Sequence, residues 1–242
     1  MDLKTLPRMI DISCVKTDST FEEMYKMVEL AKKYNIICCF SMPYYSRWLI
    51  DQLKDTPDTI VGGSVGFPHG NELTEIKVNS AVIQKNLGCA EIDMVQNVTA
   101  LKHGDYDEVG ADIAAVKAAI GETPLKVILE VGYLSDYEIC KGSEIAVKNG
   151  ATFVKTGTGW SGKSTTVEHI KLIHDTIGES ARIKAAGGVR DLNTVLAMID
   201  AGCSRFGIGV NSVISIFKEA GIYQDLGQES ARLCGILNII TR

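Results

Sequence analysis

The sequence predicts an α/β protein folded as a closed (β/α)8 barrel, a TIM barrel forming one domain over residues 1–242. Three observations predict it. Short apolar runs alternate with segments of helical spacing eight times along 242 residues, the count and length such a barrel needs. The runs are apolar on both faces, as parallel strands covered by helices must be. The ionisable residues within them gather toward their C-terminal ends, where a barrel assembles its reacting groups. A doubly wound open sheet is the competing arrangement of the same alternation.

In chain order, Arg8–Ser13 reads as the first strand and Phe21–Tyr34 as the helix behind it. Ile36–Ser41 and Tyr45–Leu53 form the second unit, Thr59–Gly66 and Leu73–Leu87 the third. Ala90–Asn97 is followed by Tyr106–Ile120, and Leu125–Gly132 by Asp136–Asn149, which Gly150 terminates. Thr152–Gly157 leads to Thr165–Ile177, and Arg182–Gly188 to Leu192–Ala201, which Gly202 terminates. Arg205–Gly209 is the eighth strand, with a helix within Val213–Ala220 and another near the C-terminus. No linker, low-complexity segment or long charge run divides the series, so one domain is the economical reading.

Composition narrows the function classes. A net charge of −5 and a pI near 5.5 argue against nucleic acid or an anionic membrane as the main partner. No run approaches the roughly 18 uninterrupted apolar residues of a membrane span. The N-terminal Met-Asp-Leu-Lys-Thr-Leu-Pro-Arg-Met has no apolar signal core, so a cytoplasmic location is expected. The seven cysteines are odd in number, mostly inside apolar runs, and contain no Cys-x-x-Cys pair. They read as buried free thiols of a reducing compartment. The four histidines have no metal-ligand spacing, and no metal is expected.

The main chemical signal is a pair of lysines one βα repeat apart. Lys155 closes Ala-Thr-Phe-Val-Lys before Thr156-Gly157-Thr158-Gly159, and Lys184 closes Arg-Ile-Lys before Ala185-Ala186-Gly187-Gly188. Neighbouring parallel strands lie about 5 Å apart, so the two side chains can approach closely. A second ammonium and partial desolvation both favour the neutral amine, which attacks carbonyls to form a Schiff base. Two rim lysines neutralised by carboxylates are the competing reading. Asp93, inside Glu91-Ile-Asp-Met-Val, shares a strand face with Glu91 and Val95. An inward carboxylate calls for an ammonium partner, and such a couple can carry protons. A purely structural ion pair is the rival there. Gly187-Gly188, after the seventh strand, is placed where barrels hold phosphate, although a tight turn alone needs the same residues.

One motif points elsewhere. Gly157-Thr158-Gly159-Trp160-Ser161-Gly162-Lys163-Ser164 satisfies the G-x-x-x-x-G-K-[ST] pattern of a nucleotide-binding loop. Such a loop needs a partner strand ending in aspartate for magnesium, and Asp93 lies in mid-strand instead.

Taken together, the chain resembles the deoxyribose-phosphate aldolases, the DeoC-type class I aldolases, from about Ile10 to Val213. The resemblance is densest in Glu91-Ile-Asp-Met-Val followed by Ala100-Leu-Lys-x-Gly-Asp-Tyr, in Phe153-Val-Lys-Thr-x-Thr-Gly, and in Ala186-Gly-Gly-Val-Arg-Asp-Leu. It implies a TIM barrel performing a reversible aldol reaction without metal or cofactor. It further implies that Lys155 is the Schiff-base lysine, Lys184 the lysine that perturbs it, and Asp93 the acid of the proton relay. Asp11 and Lys16, within Ile-Asp-Ile-Ser-Cys-Val-Lys, match active-site positions of the first strand and its loop. Thr158, Gly159, Gly187 and Gly188 match positions near the substrate and its phosphate. The implied partners are small-molecule aldehydes and sugar phosphates, acetaldehyde as donor and glyceraldehyde 3-phosphate as acceptor, with a homodimer or homotetramer as the assembly.

The chain also departs from that family. Gly209 and Val210 stand where it usually has two phosphate-holding serines, so at Gly209 only the backbone is left to bind. Ile12 replaces a frequent histidine, Phe40 a common cysteine, and Val131-Gly132 and Gly157 the usual small polar residues near the rim. Aldol chemistry on deoxyribose 5-phosphate is therefore the leading expectation. The same chemistry on another aldehyde, perhaps without phosphate, is the second, and a nucleotide-binding or non-catalytic barrel the third.

Overall fold

In a computed structural model, which describes residues 2–224, eight parallel strands pair in chain order and the last returns to the first. They are β1 Ile10–Cys14, β2 Cys38–Ser41, β3 Ile60–Val65, β4 Glu91–Val95, β5 Leu125–Ile128, β6 Phe153–Lys155, β7 Arg182–Ala186 and β8 Cys203–Gly209. The helices outside them are α1 Phe21–Tyr34, α2 Ser46–Leu53, α3 Thr74–Leu87, α4 Val98–Lys102, α5 Tyr106–Ile120, α6 Asp136–Lys148, α7 Val167–Ile177, α8 Leu192–Asp200 and α9 Val210–Glu219. Closure sets Asp11 beside Gly207 and Ser13 beside Gly209, which excludes the open-sheet arrangement.

Alternation within each strand sorts the side chains into two cores. Ile12, Cys39, Val61, Ile92, Met94, Val127, Val154, Ile183, Phe206 and Ile208 belong to one apolar cluster with the buried faces of the helices. The other parity turns inward. Cross-strand register then sets Asp93 beside Lys126, Lys155 beside Lys184 and Lys184 beside Arg205.

The helix starts are written in short-range chemistry. Thr20 with Glu23, Ser135 with Glu138, and Thr166 with His169 form reciprocal capping boxes at α1, α6 and α7. Each N-cap of this kind stabilises by about 1 kcal/mol. His169 is thereby held by its own helix start. Among the described residues no helix is long and apolar enough to cross a membrane. The six described cysteines are unpaired thiols, and burial pushes that of Cys14 up to about 12.

Several boundaries differ from the sequence expectation for local reasons. Leu3–Met9 is a 3-10 turn, so β1 begins at Ile10 rather than Arg8, and the Arg8 guanidinium instead ties the carbonyls of Asn35 and Asp58. Asn97 ends the fourth strand early by accepting the Ala100 N–H, which starts the unexpected helix α4. The fifth strand stops at Ile128: Glu130 sits at φ 60°, and Val131–Tyr133 turns as a 3-10 helix. α7 starts at Val167 because Thr166 is its cap, and α9 starts at Val210, earlier than expected. β8 begins at Cys203. The further helix expected near the C-terminus lies outside the described residues.

Candidate active site

The upper interior of the barrel is filled by ions. Asp11, Glu91 and Asp93 face Lys126, Lys155, Lys184 and Arg205, all buried. Asp93 Oδ2 accepts from Lys155 Nζ at 2.8 Å and from Lys184 Nζ at 2.7 Å, so the two amines share one oxygen. Lys184 also reaches Asp11 Oδ2 at 2.5 Å. Lys126 lies 3.0 Å from Asp11, 2.5 Å from Glu91 and 3.3 Å from Asp93 Oδ1. Arg205 spans Asp11 and Glu91 at 2.7 and 3.2 Å.

Charge counting identifies the odd member. Within these ion pairs three carboxylates oppose four bases, while the buried Glu130 is held by Thr158 instead, so full protonation leaves one buried ammonium without a carboxylate of its own. Burying an unpaired charge costs several kcal/mol, and the group gives up its proton instead. Lys126 and Arg205 hold theirs: burial works against their charge, but Asp11 and the neighbouring acids outweigh it and raise both. Lys155 moves the other way. Burial lowers its amine to about 8, the ammonium groups of Lys184 and Lys126 add to this, and Asp93 opposes it. Burial would raise the Asp93 carboxyl, yet Lys126, Lys155 and Lys184 together hold it well below the usual range. Asp11 is held down in the same way by Lys126, Lys184 and Arg205.

Small residues and hydroxyls keep the lysines in register. A Cβ on Gly207 would come within 3.3 Å of Lys184 Cε, so glycine there clears the lysine stem. Just beyond the lysines, the Thr156 hydroxyl donates to Ala186 O and accepts from Ala186 N–H, while Thr165 Oγ1 joins the same cluster at 2.7–2.8 Å. This lock fixes the spacing of β6 and β7 at the rim.

Two adjoining cavities open from the network. The inner one, about 40 Å³, is lined by Lys155, Lys184, Asp93, Asp11, Phe40, Ser64 and Phe67. The outer one, about 330 Å³, lies among the loops after β1, β6, β7 and β8. Ser13, Val15, Thr158, Gly187 and Gly207 border both. The outer cavity presents Lys16, Arg190, Gly159, Gly187, Gly188, Gly209, Asn211 and Ser212. Its chemistry suits an anion. Lys16 and Arg190 flank it, and the one acid in its lining, Glu23, is engaged in the α1 capping box. α9 points its uncapped N-terminus at it, and Gly187 and Gly188 at φ 92° and 85° allow close backbone approach. A Cβ on Gly209 would meet only Ser13 O, at 3.9 Å.

The residues singled out in the sequence thus fall into two groups. Lys155, Lys184, Asp93 and Asp11 join the inner network, whereas Lys16, Gly159, Gly187, Gly188 and Gly209 line the outer cavity. Asp11 has both oxygens committed to cations. Thr158 borders both cavities, but its amide and hydroxyl donate to the Glu130 carboxylate. That acid, raised by burial against the Thr158 hydrogen bonds, stands where a nucleotide-binding loop would need to face phosphate, and Lys163 is exposed. Lys126 and Arg205 were not anticipated. A lysine second in the apolar run Leu125–Leu129, and an arginine opening Arg-Phe-Gly, were the available signals. Asp11, Cys38 and Glu91 cluster closely enough to suggest a cation site. Lys126 and Arg205 already neutralise both acids, and burial pushes the Cys38 thiol well up, so the donor set does not fit a metal.

Comparison with known proteins agrees with this arrangement. The model of the DeoC/LacD family aldolases matches residues 5–219. A deoxyribose-phosphate aldolase of Rhizobium meliloti (strain 1021) is 38% identical over 216 residues, covering 89% of this chain and 87% of its own. One from Halalkalibacterium halodurans is 40% identical over 212 residues, covering 87% and 95%. Among solved structures, the aldolase QR15 shares 32% identity at a TM-score of 0.81, with 88% of this chain and 94% of that one aligned.

Proposed function

We propose, because this chain belongs to the DeoC/LacD family of aldolases, that it cleaves 2-deoxy-D-ribose 5-phosphate reversibly to acetaldehyde and D-glyceraldehyde 3-phosphate. The observation that carries the reading is the Lys155 amine, lowered to about 8 by burial and placed on the Asp93 oxygen that Lys184 also holds. The whole activity belongs to one barrel domain, with the residues that carry it lying between Asp11 and Ser212.

The neutral Lys155 amine attacks the aldehyde carbon of the open-chain sugar, forming a C–N bond as a proton moves to the carbonyl oxygen. Protonation of the carbinolamine hydroxyl and its departure as water leave an iminium. The bond between C2 and C3 then breaks, its electron pair passing into the iminium to give an enamine, while the C3 hydroxyl loses its proton and becomes the acceptor aldehyde. Protonation of the enamine carbon and addition of water release acetaldehyde and restore the amine. Asp93 relays these protons: Oδ2 holds the two amines, and Oδ1, though within ion-pair distance of Lys126, accepts no hydrogen bond among the described residues. Lys184 and Lys126 keep it ionised between transfers. Lys16, Arg190, the glycine turn at 187–188 and the α9 amides suit the acceptor phosphate.

A second reading, the same chemistry on an unphosphorylated aldehyde, is favoured by one observation: Gly209 and Val210 bring no hydroxyl to the outer cavity. Comparing cleavage of deoxyribose with that of its 5-phosphate separates the two. A preference for the phosphate ester of about a hundredfold or more is expected from two cations and several amides. Equal rates would leave the aldol chemistry standing and reject the phosphorylated acceptor. Gly209→Ser adds a hydroxyl in open space at the helix start. It is expected to lower KM for the 5-phosphate about fivefold, the worth of one added hydrogen bond. An unchanged or higher KM counts against a phosphate at this helix.

A further inference from the structure

The chemistry assigned to Lys155, Asp93 and Lys184 gives no role to Phe40 on β2, a large inward side chain that packs on the lysines themselves. Its ring centre lies 4.3 Å from Lys184 Nζ, 4.7 Å from Lys126 Nζ and 5.9 Å from Lys155 Nζ. The side chain is buried and lines the inner cavity. It also has a dedicated space. Gly62 is its cross-strand neighbour on β3, and a Cβ on Gly62 would overlap the ring, so glycine and phenylalanine fit as one unit.

A ring in this position acts differently from any polar side chain. Its π face attracts cations that have lost water, which suits Lys126 and Lys184. It offers no lone pair to an ammonium as water or a hydroxyl would, and it fills volume that water could otherwise enter. The charged groups facing Lys155 are Asp93 from β4, Lys126 from β5, Glu130 after β5 and Lys184 from β7, with Asp11 behind Lys184. Phe40 borders this set from β2 and sets an apolar ring against it.

We propose that Phe40 is a positioning residue for the aldol reaction: its ring floors the inner cavity, excludes water from the Lys155 amine and steadies Lys184 and Lys126 against Asp93 and Asp11. The inference rests on the Schiff-base reading of Lys155.

The test follows the pH dependence of borohydride trapping with acetaldehyde, read by mass spectrometry at residue 155, in the parent and in Phe40→Ser and Phe40→Leu. In the parent, adduct formation should rise with pH through a midpoint near 8. Phe40→Ser admits water and should move the midpoint up by about one pH unit, lowering trapping at pH 7 roughly tenfold. Phe40→Leu stays apolar and should fall between the two. Because Phe40 does not line the outer cavity, kcat should fall with little change in KM for the sugar phosphate. A merely structural role would lower the melting temperature and leave the midpoint where it was. If Phe40→Ser fails to fold, Phe40→Leu and Gly62→Ala, which displaces the ring from behind, carry the same measurement. A parent-like midpoint in the folded variants overturns the role of Phe40 alone, and absence of any adduct in the parent overturns the Schiff-base reading with it.

Discussion

Lys155→Leu is expected to abolish both borohydride trapping and turnover while leaving the fold intact. The two halves of this result come from the same count of charges. Without the ε-amine there is no nucleophile to form the iminium, and the C–C bond loses its electron sink. A loss of at least about a thousandfold in kcat is expected for a covalent catalyst deprived of its nucleophile. Stability should respond differently. Leucine at 155 leaves Asp11, Glu91 and Asp93 matched by Lys126, Lys184 and Arg205, a network with no charge to spare. Replacing a buried, poorly compensated amine with an apolar side chain is often neutral or stabilising. The melting temperature should therefore stay within about 5 °C of the parent. Adduct formation at another lysine, or retained cleavage, would remove Lys155 from the mechanism.

Lys184→Leu should leave the nucleophile present but silent at neutral pH. With Lys184 gone, the three carboxylates face Lys126, Arg205 and Lys155, so balance now requires Lys155 to carry its proton. Two changes act in the same direction: a like charge disappears, and Asp93 Oδ2 no longer shares its interaction with Lys184. The amine then rises from about 8 toward the ordinary lysine value of 10.5. At pH 7 its free fraction, roughly one in ten in the parent, falls by up to about 300-fold, the limit set by 10.5, and by less to the extent that burial and Lys126 still act. The sign is specific. The rate of imine formation should rise with pH in both proteins, with the variant's midpoint displaced to higher pH and much of its activity recovered near pH 10. Trapping measured from pH 6 to 10.5 reads this directly. A variant inactive at all pH values would show that Lys184 does more than set the charge of its neighbour.

The depth to which the site was legible differed by residue. Lys155, Lys184 and Asp93 stood out because an ionisable group in an apolar strand requires compensation, and period-two alternation assigns it a face. The glycine turn at 187–188 was readable because turns are local. Lys126 was not, because the second residue of a short apolar strand looks like an edge position until the barrel closes and Asp93 becomes its neighbour. Arg205 likewise needs Asp11, 194 positions away in the chain, to show its purpose. Helix α4 escaped notice because it is a single short turn whose start depends on one Asn97 hydrogen bond.

Alternation, strand length and the lysines at strand ends pointed to an eight-unit barrel, with an open sheet as its rival, and to amine chemistry at its rim, since these depend on periodicity and on near neighbours in the chain. Which charges cancel, and hence which amine gives up its proton most readily, was decided only when closure brought β1, β4, β5, β6, β7 and β8 around one interior. The same holds for Phe40 against Gly62, and for Trp160, whose indole N–H donates to Val15 O across 145 residues. Electrostatic compensation and steric fit act through space at a few ångströms, and no local pattern in the chain records which distant residues will occupy that space.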